Sequence, residues 1–311
     1  MSVPFDYEDV FPKHVHDFIL QKAGSMSSCT GYFVPCLLSA TSFVLGLNSY
    51  ITNGSRSFPC NLYIMVIGLP TTAKLPAMKE CSVDPLILIR DNCDIGNFVV
   101  ERCSSSALVK VLSEQNKAMV LSPNLYDVLN KLLRNDEESG SGDVQILCEL
   151  FWGERTSYRF ATNKTREVPG SMPFGILGKK QMPLAARLIS RLDQGHGLLD
   201  RFVFCVPCCL RPSLEETNAA RREMEAEDKP VHNFSEIFWA MREEHLTKRT
   251  YTFTESASDM LTQLEGEFIE SLNAAVKDVW LHHNKKKSIC YNDSQYVYMY
   301  LITSLGDFFV D

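Results

Sequence analysis

The sequence lacks any apolar run close to the roughly 20 residues that a bilayer-spanning helix needs. The nearest candidate, residues 31–47, is interrupted by Pro35 and by three hydroxyl side chains, so we interpret it as a buried helix. The acidic and aromatic N-terminus also lacks the basic and apolar pattern of a secretory signal. We therefore expect an intracellular protein, cytoplasmic or nuclear, that has no membrane partner.

Positively charged residues are also fewer than negatively charged ones. The chain has 31 Lys and Arg against 38 Asp and Glu, a formal net charge of -7, which excludes a global attraction to nucleic acid and leaves only a local basic face.

The 11 cysteines are odd in number and scattered, which indicates reduced thiols. Cys205 and Cys208 have CxxC spacing without a second Cys or His pair nearby, so we interpret them as buried strand thiols rather than zinc ligands.

Common catalytic signatures are missing as well. The sequence contains no GxSxG, HExxH or GxGxxG motif, so it shows none of the usual marks of a serine hydrolase, a zinc protease or a Rossmann dinucleotide site. His282 and His283 are adjacent, and adjacent helical side chains point about 100° apart, which is poor geometry for chelation. Any catalytic role must therefore come from another pattern.

The middle third of the chain does carry a clear alternation of elements. Continuous apolar runs of strand length occur at 61–68, at 118–121 and in a segment ending at Gly178, and they are typical of strands buried on both faces of a parallel sheet. Segments 104–116 and 183–192 have the apolar spacing of helices. This alternation predicts an α/β fold with a mainly parallel sheet.

Helical material flanks this core on both sides. We predict an N-terminal helical region at 1–50, the α/β core at 51–210 and a C-terminal helical region at 211–311. The charged segment that follows residue 210 is either a solvated helix or a linker. An apolar helical pattern at 294–310 ends the chain, which suggests a truncated or docked terminus.

The first core strand runs directly into GLPTTAKL, which matches most of a phosphate-binding loop. Such a loop directs backbone N–H groups and one lysine at an anion, in the pattern G-x-x-x-x-G-K-[ST]. Gly68 and Lys74 take the first glycine and the lysine positions. The candidate nucleotide-binding residues are Gly68, Leu69, Pro70, Thr71, Thr72, Ala73, Lys74 and Leu75. The alternative is a tight strand–helix turn with a surface lysine.

Several positions depart from that pattern. Ala73 replaces the second glycine, and it costs about 1 kcal/mol if this position needs a positive φ. Leu75 replaces the hydroxyl that holds magnesium. The strand at 118–121 continues into Ser-Pro-Asn instead of the acidic residues that hold magnesium and orient water, and Asp127 is expected to face solvent. These departures predict that Mg²⁺ binding and hydrolysis are lost.

Segment 33–207 resembles an uncharacterised family of P-loop proteins found beside primase and helicase modules in phages, plasmids and other mobile elements. The resemblance is carried, in order, by NLYIMVIGLPTTAKLPA, SSSALVKVLSEQNKAMVLSPNL, ILGKKQMPLAARLI and GHGLLDRFVFCVP. It implies a P-loop NTPase-like fold of the RecA/AAA type. It also implies that ATP is the cofactor and that Lys74 is the phosphate-binding lysine.

The same resemblance suggests catalytic roles for two residues. Gln181 falls where such folds place a polar residue that senses the γ-phosphate. Arg201 falls where the family has an arginine, which would either reach a phosphate on a neighbouring subunit of a homo-oligomer or pair with Asp200 or Asp193.

The most basic part of this acidic chain is residues 179–211. Its candidate nucleic-acid-binding residues are Lys179, Lys180, Arg187 and Arg191. No aromatic residues are interleaved with these cations as they are in single-strand binding surfaces, so a solvated helix face is the favoured interpretation.

Three functional hypotheses follow. The first is a degenerate P-loop NTPase-like pseudoenzyme that retains at most weak nucleotide or nucleic-acid binding. The second is an active ATP-dependent helicase or ATPase in which Thr72 and Asp127 replace the missing magnesium ligands. The third is a non-catalytic protein-interaction module whose old pocket is filled by side chains.

Overall fold

The computed structural model describes residues 11–53, 56–93, 95–101, 104–131, 142–159, 165–192, 197–208, 210–225 and 231–281. The chain divides into two compact units, of which the larger spans His14–Tyr251. The other unit combines Met1–Lys13 with Thr252–Asp311, and most of its described residues form one helix, Glu255–Leu281.

The described strands and helices follow the chain in this order. The strands are β1 Ser49–Asn53, β2 Arg56–Pro59, β3 Tyr63–Gly68, β4 Val99–Val100, β5 Ala118–Ser122, β6 Thr156–Arg159, β7 Thr165–Val168, β8 Phe174–Gln181, β9 Phe202–Cys205 and β10 Arg249–Thr252. The helices are α1 Lys13–Ser25, α2 Thr30–Gly46, α3 Lys74–Met78, α4 Asp84–Asn92, α5 Ser105–Gln115, α6 125–131, α7 Asp143–Trp152, α8 Met182–Leu192, α9 Leu214–Met224, α10 Phe234–Glu244 and α11 Glu255–Leu281.

A five-stranded sheet in the order β4-β5-β8-β3-β9 is the centre of the larger unit. Every pairing in it is parallel, so the predicted α/β fold with a parallel sheet is confirmed. All six residues of β3 are buried, as expected for a continuous apolar strand covered on both faces. Strands β1 and β2 pair antiparallel, as do β6 and β7, and β10 lies beside β1 in a separate small sheet.

Tyr63 shows how the start of β3 is fixed in the core. Its side chain is completely buried among aromatic rings, with Phe151 and Phe174 both in edge-to-face contact at centroid distances of 5.2 and 5.5 Å. Its hydroxyl donates a 2.7 Å hydrogen bond to the carbonyl of Leu147 in α7. Because a buried tyrosine hydroxyl needs a partner, this bond ties α7 to the central strand.

The helical segment after Lys74 is continuous although it contains two prolines. Helix α3, a π-helical turn at Lys79–Val83 and α4 run without a break to Asn92. A proline in a helix removes one hydrogen bond and crowds the preceding turn. The wide π turn lies immediately before α4, whose first turn contains Pro85, and the relaxed spacing there accommodates the ring.

Strand β8 also differs from its predicted boundary. It continues past Gly178 to Gln181, because Lys179, Lys180 and Gln181 pair with the last three residues of β3. Gly178 is required by close packing, since a Cβ there would overlap with the side chain of Leu125 and lie 2.9 Å from the carbonyl of Ser122. The polar end of β8 therefore belongs to the sheet and carries its side chains to the carboxyl edge.

The connections that leave β3 and β8 run in opposite directions across the sheet. The chain passes from β3 to β4 at the far edge, whereas it passes from β8 across β3 to β9. Neighbouring parallel strands whose connections diverge open a crevice at their carboxyl ends, and ligands of open α/β sheets bind in such crevices.

The charged segment after residue 210 forms a helix. Ser213 and Glu216 make a reciprocal capping box at the start of α9, which explains why this highly charged stretch is ordered as a helix rather than a linker. Helix α11 extends from Glu255 to Leu281, and the segment with the apolar helical pattern at 294–310 lies outside the described residues. Within the described part of the chain, no helix has the length and apolarity needed to cross a membrane.

Candidate anion-binding cleft

A cleft of about 590 Å³ lies at the carboxyl edge of the parallel sheet, where β3, β5 and β8 end. It is lined by Met26, Pro70, Thr71, Thr72, Ala73, Lys74, Leu75, Pro76, Pro123, Asn124, Lys179, Lys180, Gln181, Leu184 and Arg211. Its volume falls within the range of small-molecule sites in proteins. The cleft thus brings together the candidate loop, the end of β5 and the end of β8.

The loop backbone has the left-handed conformation that a phosphate loop would require. Ala73 has φ 55° and ψ 29°, and Thr71 has φ 64°. Position 73 therefore does have a positive φ, and a side chain with a Cβ there costs about 1–2 kcal/mol. A left-handed residue followed by the right-handed Lys74 is the arrangement in which successive backbone N–H groups form an anion-binding concavity.

Gly68 permits a close approach between β3 and α2. A Cβ at this position would overlap with the hydroxyl of Tyr32 and would lie 2.9 Å from its Cζ atom. The glycine is needed for space rather than for a positive φ, because Gly68 is not among the described residues with that conformation. Tyr32 therefore packs directly against the start of the loop.

Lys74 is buried, with only 7% of its surface exposed. Its ammonium group donates hydrogen bonds to the carbonyl of Leu69 and, at 3.0 Å, to the hydroxyl of Thr72. The ammonium also lies 5.7 Å from the centroid of the Tyr32 ring, a favourable cation–π distance. The strand–helix turn of the alternative interpretation is present, but its lysine is not a surface lysine, because the chain folds it into the loop.

Two residues that anchor the loop, Ser28 and Tyr32, were not among the predicted site residues. The hydroxyls of Tyr32 and Thr72 share a 3.0 Å hydrogen bond, and the hydroxyl of Ser28 donates to the carbonyl of Ala73 at 3.3 Å. Ser28 and Tyr32 precede their loop partners by 45 and 40 positions, so spacing alone could not connect them with the loop. The available signal was the polar tip of Tyr32 in a helix that is expected to be buried, since a buried hydroxyl needs a partner.

At the end of β5, where the sequence has no acidic pair, the cleft contains an amide side chain. Asn124 follows β5, and its side-chain oxygen accepts a hydrogen bond from Lys180 while its NH₂ group donates to Asp127. Asp127 is exposed, as expected. Leu75 is half exposed at the cleft wall and offers no ligand atom. These side chains do not fit a magnesium ion, which prefers several oxygen ligands including carboxylates.

The remaining polar residues make the cleft strongly cationic. Lys179, Lys180 and Arg211 line it together with Lys74, and none of the described lining residues is Asp or Glu. Burial, and then the nearby charge of Lys180, lower the pKa of Lys179. Gln181 is exposed at the edge, where its backbone pairs with Gly68. The structure therefore brings Gln181 and both lysines beside the loop.

Arg201 lies elsewhere in the fold. It precedes β9, whose first residue pairs with the first residue of β3, so Arg201 is at the opposite edge of the sheet, about 20 Å from the loop along β3. Its guanidinium donates to the carbonyl of Gly197, and its Nε is buried without a hydrogen-bond partner. Its side chain also lies 6.0 Å from the Trp152 ring. Within one chain, Arg201 does not reach the cleft.

The four predicted nucleic-acid-binding residues do not form a single face. Lys179 and Lys180 line the cleft, whereas Arg187 is exposed on α8 and is not a lining residue. The backbone of Arg191 belongs to α8, and its side chain lies outside the described residues. The two lysines thus belong with the loop, and Arg187 fits the interpretation of a solvated helix face.

No metal centre is formed by the cysteines and histidines that the structure describes. Among those residues, no cluster of three or more Cys, His, Asp or Glu side chains could hold a metal ion. Cys205 ends β9 and is half-buried, but Cys208 follows the strand and is exposed. The prediction of buried strand thiols is therefore wrong for Cys208, because the strand ends three residues earlier than that prediction required.

The chain matches no protein-family model, and no curated protein is similar to it in sequence. The geometry and charge of the cleft are therefore the basis for assigning a function.

Proposed function

We propose that this protein is a degenerate P-loop NTPase-like protein that binds the phosphates of a nucleotide in the cationic cleft without efficient hydrolysis. The observation that carries this proposal is the convergence of Lys74, Lys179, Lys180 and Arg211 on one cleft at the carboxyl edge of the sheet. Cationic side chains beside a left-handed loop favour an anion with several phosphate oxygens. A relationship to the ATPases associated with mobile-element helicases and primases remains part of this proposal.

The loss of hydrolysis is supported by what surrounds the loop. The hydroxyl of Thr72 donates to the carbonyl of Leu69 and can accept hydrogen bonds from Tyr32 and Lys74, which uses its one proton and both lone pairs. It has no capacity left for magnesium. Asp127 is bonded to Asn124 at the exposed surface, so neither replacement ligand of the active-ATPase hypothesis is available in this arrangement.

Weak affinity follows from the position of the lysine. An incoming phosphate would have to compete with the Leu69 carbonyl and the Thr72 hydroxyl for the Lys74 ammonium. The cleft itself is open enough to admit a ligand, which favours binding over the hypothesis of an interaction module with a filled pocket. Nucleic-acid binding is less favoured, because the lysines at the end of β8 lie in the cleft rather than on an extended face.

The test combines binding and turnover. ATP is titrated into the full chain by calorimetry, and hydrolysis is measured with and without single-stranded DNA. We expect binding that is weakened about tenfold or more in Arg211→Gln, since this exposed cleft cation would make charge-assisted bonds to phosphate, and no significant turnover. The matched control is Lys110→Gln, an equal loss of charge at an exposed position of α5 outside the cleft.

Two outcomes contradict the proposal in different ways. Turnover near 1 s⁻¹ that disappears in Lys74→Ala would show an active ATPase, because that rate is typical of working phosphoryl-transfer enzymes. Absence of any heat of binding or thermal shift with millimolar ATP would instead favour the interaction module.

A further inference from the structure

We propose that the cleft prefers a metal-free polyphosphate, and that the ammonium groups at the end of β8 replace the divalent cation in neutralising it. This inference rests on the proposed nucleotide-binding function and specifies the charge state of its ligand. The ligand class is a linear polyphosphate anion, and ATP without bound magnesium is its probe.

The position of Lys180 is the first observation. Ser122 at the end of β5 pairs with Gly178 of β8, so Asn124 and Lys180, each two residues further on, lie beside each other at the sheet edge. Their side chains are hydrogen bonded, with the ammonium donating to the amide oxygen. The ammonium also lies 5.1 Å from the centroid of the Tyr126 ring. At the place where carboxylates would hold a cation, the chain supplies a cation of its own.

The charge of the whole cleft is the second observation. Its described lining contains four cationic side chains and no carboxylate. A magnesium ion that entered with the phosphates would be repelled by Lys74, Lys179 and Lys180. None of the described lining residues would offer it a carboxylate ligand. A polyphosphate without magnesium retains its full negative charge. Its oxygens can therefore accept charge-assisted hydrogen bonds from the ammonium groups, and such bonds are stronger than hydrogen bonds between neutral groups.

The closeness of two positive charges in the cleft favours an anionic ligand that contacts both of them. Lys179 and Lys180 are consecutive, yet both line the cleft, and the charge of Lys180 contributes to the lowered pKa of Lys179. A polyphosphate placed between them would relieve this repulsion. A magnesium complex of the same polyphosphate would relieve less of it, because the metal cancels part of the negative charge.

Calorimetric titration of the full chain with ATP tests the inference. One titration contains EDTA and the other an excess of Mg²⁺, both at the same ionic strength so that screening is equal. We expect ATP to bind at least about tenfold more tightly in EDTA, the effect of losing one charge-assisted interaction. Equal affinity, or tighter binding with Mg²⁺, overturns the inference but leaves the proposed function standing. An absence of binding in both titrations overturns both.

Variants show whether the lysines cause the preference. Lys180→Gln should weaken the binding of metal-free ATP about tenfold and narrow the difference between EDTA and Mg²⁺. Lys110→Gln, the exposed control on α5, should change neither. If Lys180→Gln does not fold, Lys179→Gln serves the same purpose. An unchanged EDTA-to-Mg²⁺ ratio in the folded lysine variant contradicts the proposed role.

A parallel titration with inorganic tripolyphosphate separates two sources of the same chemistry. If only the phosphate chain is recognised, tripolyphosphate should bind about as tightly as ATP and with the same preference for EDTA. If the nucleoside also contacts the cleft, ATP should bind more tightly. Failure of both ligands to prefer EDTA overturns the inference.

Discussion

Replacement of Ala73 by glycine should stabilise this protein, although most substitutions of alanine by glycine do the opposite. Ala73 is held at φ 55°, where a side chain with a Cβ costs about 1–2 kcal/mol. Glycine removes this strain but loses about 0.5–1 kcal/mol more backbone entropy on folding. Ala73 is half-buried and its side chain is a single methyl group, so little packing is lost. We therefore expect the free energy of unfolding to rise by about 0.5–1 kcal/mol.

Urea denaturation of the two proteins measures this change directly as a shift in midpoint at constant slope. The matched control is Ala186→Gly, the same substitution at an exposed position of the helix α8, which should lower the free energy of unfolding by about 1 kcal/mol. The two variants should thus move in opposite directions. If Ala73→Gly destabilises the protein as much as Ala186→Gly, the left-handed conformation of the loop is refuted.

Three further predictions concern the contacts around the cleft and the core. Gly68→Ala should lower the free energy of unfolding by about 1–3 kcal/mol, because the added Cβ overpacks against Tyr32. The double variant Gly68→Ala/Tyr32→Phe should recover part of this loss, and urea denaturation of the two single variants and the double variant measures the recovery. Tyr63→Phe should lower the free energy of unfolding by about 1–3 kcal/mol in the same assay, because the Leu147 carbonyl loses a buried partner. A change within experimental error would contradict the inferred hydrogen bond. The pKa of Lys179 is lowered in the folded protein, so between that pKa and 10.5 the unfolded chain binds more protons and stability gains a contribution as pH rises. Melting temperatures should therefore show that the native protein gains stability relative to Lys179→Gln as pH approaches 10.5, and a constant difference would refute the shift.

Much of the fold was predictable because its signals are local. The continuous apolar runs of β3 and β5, and the apolar spacing of α5 and α8, led to the correct sheet type and helices. The errors occurred where one element depends on another. Lys179, Lys180 and Gln181 look like a polar loop in sequence, but they form a strand because the end of β3 supplies their hydrogen bonds.

The candidate site was predictable only in part for the same reason. The loop and its lysine followed from a short motif, but the motif left open whether Ala73 has a positive φ, and the structure decided it. The anchors Ser28 and Tyr32 are distant in sequence, and no short-range pattern connects them with the loop. Arg201 illustrates the opposite case, since its segment resembled a catalytic motif while its place in the sheet separates it from the cleft.

The sequence by itself determined the type of sheet, the position of the loop and the absence of the usual magnesium ligands, because each depends on the identity and spacing of neighbouring residues. The tertiary structure alone decided that Lys74 is buried, that Lys180 is bonded to Asn124 and that four cations share one cleft. The carboxyl ends of parallel strands meet at one edge whatever their separation along the chain. The charge of this cleft therefore depends on the order in which the strands pair.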